Sequence, residues 1–155
     1  MTKKRLLYVG HGHHNRTKST VFLIDLLKTA YDVSRFDLDP QVPDCYADLE
    51  KLEVKDFDVV VVFQVMPSVD ELKKRISWRH GVFFPMYDYY QGCITLDRPN
   101  WYEYANFTIV NFSRTLHEKL ASIGFDSKYV QYFPKPYKDA LKCPGSEKSL
   151  YFWQR

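Results

Sequence analysis

The sequence has few cysteines and no long apolar run. Its three cysteines, Cys45, Cys93 and Cys143, are odd in number, lie far apart and form no C-x-x-C motif, which is typical of a reducing cytoplasm. No apolar stretch approaches the roughly 20 residues that a membrane-spanning helix needs, and residues 1–5 lack the apolar core of a signal peptide. Internal repeats and low-complexity segments are also absent. We therefore expect a cytoplasmic protein.

The net charge is small, whereas aromatic residues are abundant. A net charge of +3 is compatible with an anionic ligand or a membrane surface but is too small to indicate either. We expect no nucleic-acid partner. A chain of 155 residues fits one domain with a single core, and its apolar and charged fractions are ordinary for a globular protein. Twelve tyrosines and eleven phenylalanines are the compositional excess.

Short runs of β-branched and aromatic residues predict six strands. The clearest run is FDVVVVF at residues 57–63. An unbroken apolar run indicates burial on both faces, as in a parallel strand that is covered by helices. The predicted strands are residues 5–9, 32–36, 57–63, 82–86, 107–112 and 127–132, and the first is followed by a predicted loop at residues 10–18.

Helical patterns lie between these strands. Residues 21–30 predict a helix, and a short helix is expected near residues 46–52. Ser68 with Glu71 predicts a capping box, and Ser113 or Thr115 is expected to cap the last helix. The residues expected to face inward are Leu23, Leu26, Leu27 and Ala30 in the first helix, Val69, Leu72 and Ile76 after Ser68, and Leu116, Leu120 and Ile123 in the last; Gly124 is expected to end that helix in a left-handed conformation.

The alternation of strands and helices predicts an α/β fold, namely a Rossmann-like open, mainly parallel sheet with helices on both faces. Ligands of such sheets bind outside the carboxyl ends of the strands, near the point where the strand order reverses. Four segments that are distant in sequence are expected at that edge, namely residues 10–16, 64–67, 86–90 and 112–114.

Residues 107–136 have the order strand, helix, strand and proline-marked exit. The strand FTIVNF is followed by Ser113, a helix that ends at Gly124, a second strand, and then Pro134 and Pro136. This order resembles the end of the N-terminal domain of GT-B glycosyltransferases, especially the large retaining group called family 4. The resemblance extends loosely over residues 5–136.

The resemblance implies a division of the chain into three parts. Residues 1–134 would be a Rossmann-like acceptor-side domain, residues 135–148 a hinge, and residues 149–155 the start of a second domain that is cut short. The alternative is that residues 150–153 pack back on the first domain. The second domain would hold most of the donor site, so we expect this chain alone to be inactive.

The resemblance also implies the chemistry and its residues. The reaction would transfer a sugar from a nucleotide-sugar donor to a glycan or lipid-linked acceptor, without a tightly bound cofactor or a metal. Tyr87 stands where many family members have a histidine that touches the transferred sugar. The implied catalytic residues are Asp88 and His13, and the implied substrate-binding residues are Gly10, His11, Gly12, His14, Asn15, Gln64, Tyr87, Ser113 and Arg114.

The loop GHGHHN at residues 10–15 also fits a dinucleotide-binding hypothesis. Gly10 and Gly12 match the first two glycines of the G-x-G-x-x-G fingerprint, Asn15 replaces the third, and Asp37 follows the second strand as the ribose-binding acid would. A stand-alone nucleotide-binding domain or a small NAD-dependent enzyme is therefore the alternative function.

The same loop contains a His-x-His arrangement, which occurs after the first strand of some metal hydrolases. A complete metal site needs further ligands, and the other histidines are poorly placed, since His80 is predicted to precede a strand and His117 to lie within a helix. A solvated loop is the simplest alternative to any of these sites.

Two further clusters have a functional and a structural interpretation. The aromatic residues between positions 87 and 104 suit sugar binding, because such rings stack on C–H faces while their polar tips hydrogen-bond hydroxyls; packing beneath a loop is the alternative. Basic residues and an indole after residue 72 suit a peripheral membrane contact at the inner face, and a solvated helix face is the alternative. The clusters comprise Tyr87, Tyr89, Tyr90, Trp101, Tyr102 and Tyr104, and Lys73, Lys74, Arg75, Trp78 and Arg79.

Overall fold

Six strands lie side by side in one sheet in the computed structural model, which describes residues 2–39, 42–86 and 99–131. The strands are β1 (Lys4–His11), β2 (Tyr31–Leu38), β3 (Asp56–Phe63), β4 (Ser77–Phe84), β5 (Phe107–Asn111) and β6 (Ser127–Tyr129). The helices are α1 (His13–Thr17), α2 (Val21–Ala30), α3 (Ala47–Glu50), α4 (Val69–Lys73) and α5 (Arg114–Ser122), with a 3-10 helix at Pro99–Tyr104.

All pairs of neighbouring strands are parallel, and the order is β2-β1-β3-β4-β5-β6. Leu6 of β1, for example, lies opposite Val33 of β2 on one side and Val59 of β3 on the other. The predicted Rossmann-like α/β sheet is therefore confirmed. The strand order reverses once, because the chain moves from β1 outward to β2 and then crosses β1 to form β3.

Different helices pack on the two faces of the sheet. We call face A the side that carries Val60, Val62, Phe83 and Ile109, where the apolar residues of α3, α4, α5 and the 3-10 helix pack. Face B is the side that carries Tyr8, Val61 and Phe63, and among the described residues its covering helix is α2, through Leu23 and Ile24. Helices thus cover both faces, as expected.

The helix caps confirm two predictions and correct a third. The Ser113 hydroxyl accepts from the backbone N–H of Leu116 at 3.3 Å, so Ser113 rather than Thr115 is the cap. The Ser68 hydroxyl accepts from the N–H of Glu71 at 3.4 Å. The Glu71 carboxylate does not complete a capping box, because it pairs with Lys74 and Arg75 instead.

Several expected positions were wrong. The segment after β1 is not a loop throughout, because β1 continues to His11 and α1 follows. In α2, Ile24 is buried while Leu26 is 62% exposed, so the inward face is rotated from the expected one. Gly124 has φ +93° as predicted, but Ile123 caps α5 at its C-terminus and is exposed.

The fourth strand begins five residues earlier than predicted, at Ser77. Consequently Trp78, Arg79 and His80 lie within β4, and the indole and guanidinium are not part of a helix. Strand β6 ends at Tyr129, before the expected boundary. No helix in the described ranges is both long and apolar enough to cross a membrane. The predicted hinge and second-domain start, residues 135–155, lie outside the described residues.

Candidate functional site

The strand order reverses between β1 and β3, and we call the position between the carboxyl ends of these two strands the crevice. In open α/β sheets such a point is where ligands bind, because the two connecting loops diverge to opposite faces. His11 ends β1 and Gly12 follows it, and Gln64 follows β3. The backbone N–H of Gly12 donates to the carbonyl of Leu38 at 3.4 Å, so the end of β2 borders the same crevice.

Three histidine rings meet at the end of β1. The centroid of His11 lies 6.5 Å from that of His13 and 6.4 Å from that of His14, and His13 and His14 are 6.4 Å apart. The Nδ1 atom of His11 accepts from the backbone N–H of His13 at 3.0 Å, and Nδ1 of His14 lies 2.9 Å from Oγ of Ser19. The structure thus brings together three of the predicted site residues, which we call the histidine cluster.

The two glycines beside the cluster have different environments. A Cβ atom on Gly10 would lie 2.6 Å from Cε1 of Tyr8, so the missing side chain of this buried residue makes room for the tyrosine ring. A Cβ atom on Gly12 would meet nothing within 4 Å. Of the two glycines, Gly12 is therefore the one that leaves open space at the edge.

The backbone is strained where β3 ends. Gln64 has φ +54°, a left-handed conformation that costs a non-glycine residue roughly 1 kcal/mol. Its N–H donates to the carbonyl of Phe84 at 2.8 Å, which extends the pairing of β3 with β4 by one residue. Strain of this kind often occurs at binding sites, where the surrounding structure maintains it.

Side chains from two separate segments hold the turn after Gln64. The N–H of Ser68 donates to Oη of Tyr46 at 2.9 Å, and the N–H of Val69 donates to Oε2 of Glu103 at 2.6 Å. Oη of Tyr104 donates to the carbonyl of Pro67 at 2.7 Å. Burial raises the pKa of Tyr46 and that of Tyr104, so both phenols stay protonated at neutral pH. Tyr104, predicted as part of a sugar-binding band, is instead a buried anchor of this turn.

A line of aromatic contacts connects the strand ends on face B. The centroid of His14 lies 5.8 Å from that of Phe63, the last residue of β3. Phe63 lies 5.6 Å from Phe84 at the end of β4, and Phe84 lies 5.6 Å from Phe112, the residue after β5. The loops after β1, β3, β4 and β5 therefore begin beside one another. We call these four rings the aromatic line.

The end of β5 has a buried polar network. Nδ2 of Asn111 donates to Oγ of Ser127 at 2.8 Å, and Oγ of Ser127 lies 2.9 Å from Nδ1 of His117. Arg114 lies over the ring of Tyr129, with Cζ 5.5 Å from the centroid. The Ser113 hydroxyl is occupied as a helix cap, whereas Arg114 is exposed at the edge.

The structure tests the predicted site residues unequally. It places Gly10, His11, Gly12, His13, His14 and Gln64 around the crevice. Ser113 and Arg114 lie at the same edge of the sheet but two strands further along. The side chain of Asn15 and all of Tyr87 and Asp88 lie outside what the structure describes.

The sequence did not single out Phe84, and it placed Phe112 at this edge without assigning it a role. Phe84 lies within the predicted strand 82–86 and Phe112 ends the predicted strand 107–112, and these positions were the available signal for them. The strained backbone of Gln64 had no signal in the sequence, because the residue type does not favour a positive φ.

In the residues that it describes, the structure supports neither the metal hypothesis nor the membrane hypothesis. In the described ranges, no group of three or more His, Cys, Asp or Glu side chains is arranged to hold a metal ion. Of the basic residues in and after α4, Lys74 and Arg75 pair with Glu71. Arg79 lies 3.8 Å from Asp58.

Comparison of the chain with protein-family models, with curated proteins and with solved structures gives no match.

Proposed function

We propose that this chain is the acceptor-side domain of a GT-B-type glycosyltransferase, which transfers a sugar from a nucleotide-sugar donor to a glycan or lipid-linked acceptor. The aromatic line from His14 to Phe112 is the observation that carries the proposal. It joins the loops after β1, β3, β4 and β5 at one edge, where a cleft enzyme of this architecture would hold its acceptor.

The roles follow from position at this edge. Gly12 leaves room for a substrate beside β1, and the histidine cluster supplies imidazoles within reach of it. The exposed imidazole of His13 is the proposed base for the proton that an acceptor hydroxyl loses during transfer. Asp88, after β4, is the second proposed catalytic residue, and Gln64 and Arg114 are proposed to bind substrate.

The alternative is a dinucleotide-binding enzyme, and one observation supports it. Asp37 lies opposite Gly10 in the register of β1 with β2, close to where a ribose-binding acid is needed. Its carboxylate, however, is 3.0 Å from Nη2 of Arg35, so part of its hydrogen-bonding capacity is already used. We therefore prefer the transferase.

The test uses this chain together with its downstream reading frame, and measures release of UDP or GDP from a panel of nucleotide sugars. Gly12→Val adds bulk where a Cβ meets no other atom, so it should lower turnover at least tenfold while the far-UV circular dichroism stays unchanged. Ala105→Val, an exposed position before β5 at the opposite edge, is the matched control and should retain activity.

Three results would contradict the proposal. Full turnover by both Gly12→Val and Asp88→Asn would place the cleft elsewhere. Micromolar binding of a nucleotide sugar by the 155-residue chain alone would contradict the two-domain arrangement. Micromolar NADH binding, measured by fluorescence, would favour the alternative.

A further inference from the structure

The histidine cluster lies in a segment that lacks carboxylates. No Asp or Glu occurs from Gly10 to Ile24, whereas Arg16 and Lys18 follow the three histidines directly. Three of the five histidines of the chain are thus concentrated in four positions next to two permanent cations. The segment has no negative charge of its own to balance protonated imidazoles.

The elements packed against the cluster bring few opposing charges. Strand β3 contributes Phe63, whose ring contacts His14, and then Gln64, and neither residue titrates. The end of β2 contributes Asp37 and Asp39. The carboxylate of Asp37 already binds the guanidinium of Arg35, at 3.0 and 3.1 Å.

Protonated imidazoles at this separation would repel one another, because like charges are unfavourable at short distance. With centroids 6.4 to 6.5 Å apart, the three rings surround a point about equally distant from each. An anion at that point would remove the mutual repulsion and favour the protonated rings. Binding of the anion and uptake of protons would therefore be coupled.

We propose that the histidine cluster binds an oxyanion, such as a phosphate group of a nucleotide or free phosphate, and takes up protons as it does so. This proposal deepens the proposed function and rests on it for the biological ligand, since a nucleotide sugar carries such phosphates. The coupling itself depends on the geometry of the cluster alone.

The surroundings of the cluster suit an oxyanion better than a metal ion. Nδ1 of His11 already accepts a hydrogen bond, and Nδ1 of His14 is engaged with Ser19, so two of the six ring nitrogens are unavailable as metal ligands. The hydroxyls of Ser19 and Thr17 lie 3.1 Å apart beside His14 and can rotate to donate to an anion. The exposed ring of His13 and the open space at Gly12 give access from solvent.

Sulfate is the probe, because its own charge does not change between pH 6 and pH 8. Its affinity for the 155-residue chain is measured by amide chemical shifts at constant ionic strength across that range. If about one proton is taken up per sulfate, affinity should rise by up to about tenfold for each unit by which the pH falls; the rise is steepest just above the ordinary imidazole pKa of about 6.5 and levels off below it. The shifted amides should include those of residues 11–14 and 19.

Single variants assign the coupling to the cluster. His13→Asn and His14→Asn should each weaken the rise in sulfate affinity at low pH by at least half. His80→Asn, which removes an exposed histidine of β4, is the matched control and should leave the pH dependence as it is in the parent chain. Calorimetry in two buffers of different ionisation enthalpy should give the same proton uptake independently.

Several outcomes would overturn the proposal. The proposal fails if sulfate binding is not saturable, or if the sulfate affinity does not change with pH. It also fails if the amide shifts map away from residues 11–19, or if His13→Asn and the parent chain show the same pH dependence. Stoichiometric zinc binding that displaces sulfate would also overturn it. The sulfate experiment involves no sugar transfer, so it can fail while the transferase assay succeeds, and the reverse.

Discussion

Face A and face B of the same sheet are covered very differently. Leu49, Leu72 and Leu120 bring α3, α4 and α5 onto face A, where they are fully buried. On face B the described helix α2 contributes Leu23 and Ile24, while Val82 and Phe84 of β4 stay half-buried. The two faces share the same strands, so the difference comes from the connections and not from strand composition.

The order of the strands explains this asymmetry. A parallel crossover is almost always right-handed, so its direction along the sheet decides which face its helix covers. The chain moves one way only between β1 and β2, and that connection places α2 on face B. The other connections move the opposite way, and their helices lie on face A. A single reversal thus determines both the asymmetry and the crevice.

The candidate site is assembled from both faces. The turn after β3 is held by Tyr46, Glu103 and Tyr104, which belong to segments on the face A side. The aromatic line from His14 to Phe112 lies on face B, where fewer described helices compete for space. Face A therefore supplies rigidity to the edge, and face B supplies the surface next to which a ligand would lie.

The strongest test of the asymmetry compares two leucines on helices. Leu72→Ala on α4 should destabilise the protein by about 3 kcal/mol, because it removes a fully buried side chain from face A and leaves a cavity. Leu26→Ala on α2 should change stability by less than about 0.5 kcal/mol, because that side chain is 62% exposed. Urea denaturation of both variants, followed by circular dichroism, measures the difference.

Equal destabilisation by the two substitutions would show that α2 is packed as deeply as α4, and the comparison of faces would then fail. Leu23→Ala, from the buried side of α2, is the positive control for that helix. It should be destabilising by more than about 2 kcal/mol.

A second test compares three glycines. A Cβ at Gly81 would lie 2.6 to 2.8 Å from three atoms of the Phe107 ring on face A, whereas one at Gly10 would come within 3 Å only of Cε1 of Tyr8. Gly81→Ala should therefore cost about 2 to 3 kcal/mol and Gly10→Ala about 1 to 2 kcal/mol, since overpacking forces neighbouring side chains to shift. Gly12→Ala should be close to neutral.

Thermal unfolding of the three alanine variants measures this series. A large loss at Gly12 would mean that the edge beside the histidine cluster is packed and not open. That result would also remove the steric basis of the Gly12→Val experiment. The rank order matters more than the absolute values, because each cost depends on how far the neighbouring ring can move.

Much of the fold was predictable because its signals are local. The apolar run at residues 57–63 identifies β3, and Ser68 and Ser113 both cap helices as their side-chain oxygens allow. Gly124 adopts the left-handed conformation expected after the last helix. The alternation of strands and helices predicted that the strands are parallel.

The errors arose where tertiary contacts outweigh local preference. The beginning of β4 was missed because Ser77, Arg79 and His80 are polar, yet all three belong to the strand, and Ser77 and His80 pair with β3. The roles of Glu103 and Tyr46 in holding the turn after β3 depend on contacts 34 and 22 residues apart in the chain. Contacts of this range have no periodic signature in a single sequence.

The meeting of the loops at one edge of the sheet was predicted, whereas the contacts that hold this edge together were not. The loops after parallel strands must meet at one edge, so the convergence of residues 10–14 and 64 was predictable. The aromatic line was not, because it depends on which rings of separate strands share face B.

The smallest expected effects are electrostatic and compare a carboxylate beside face A with one at the β6 edge of the sheet. Hydrogen bonds from Lys74, and then from Arg75, lower the pKa of Glu71 beside face A. Hydrogen bonds from Lys128, and then from Thr108, lower the pKa of Asp126 near the end of the sheet at β6. A carboxyl group whose pKa is lowered by folding stabilises the protein above its unfolded pKa, and that stabilisation is lost as the pH falls through the folded pKa.

The contribution of both groups should therefore be complete above about pH 5 and be lost progressively as the pH falls below the unfolded values of about 4.3 for Glu and 3.9 for Asp and then through the lower folded pKa of each group. Both carboxylates lie near solvent, so screening keeps the effect of Asp126 to a few tenths of a kcal/mol.

Urea denaturation between pH 3 and pH 7 should show a shallower acid decline for Glu71→Gln than for Asp126→Asn, because Glu71 binds two cations and Asp126 binds one. Glu53→Gln, at an exposed position without an ion pair in the described ranges, is the matched control and should reproduce the parent profile. If Asp126→Asn flattens the decline more than Glu71→Gln does, the ion pairs near α4 contribute less than that at the β6 edge, and the stabilisation of face A comes from apolar burial alone.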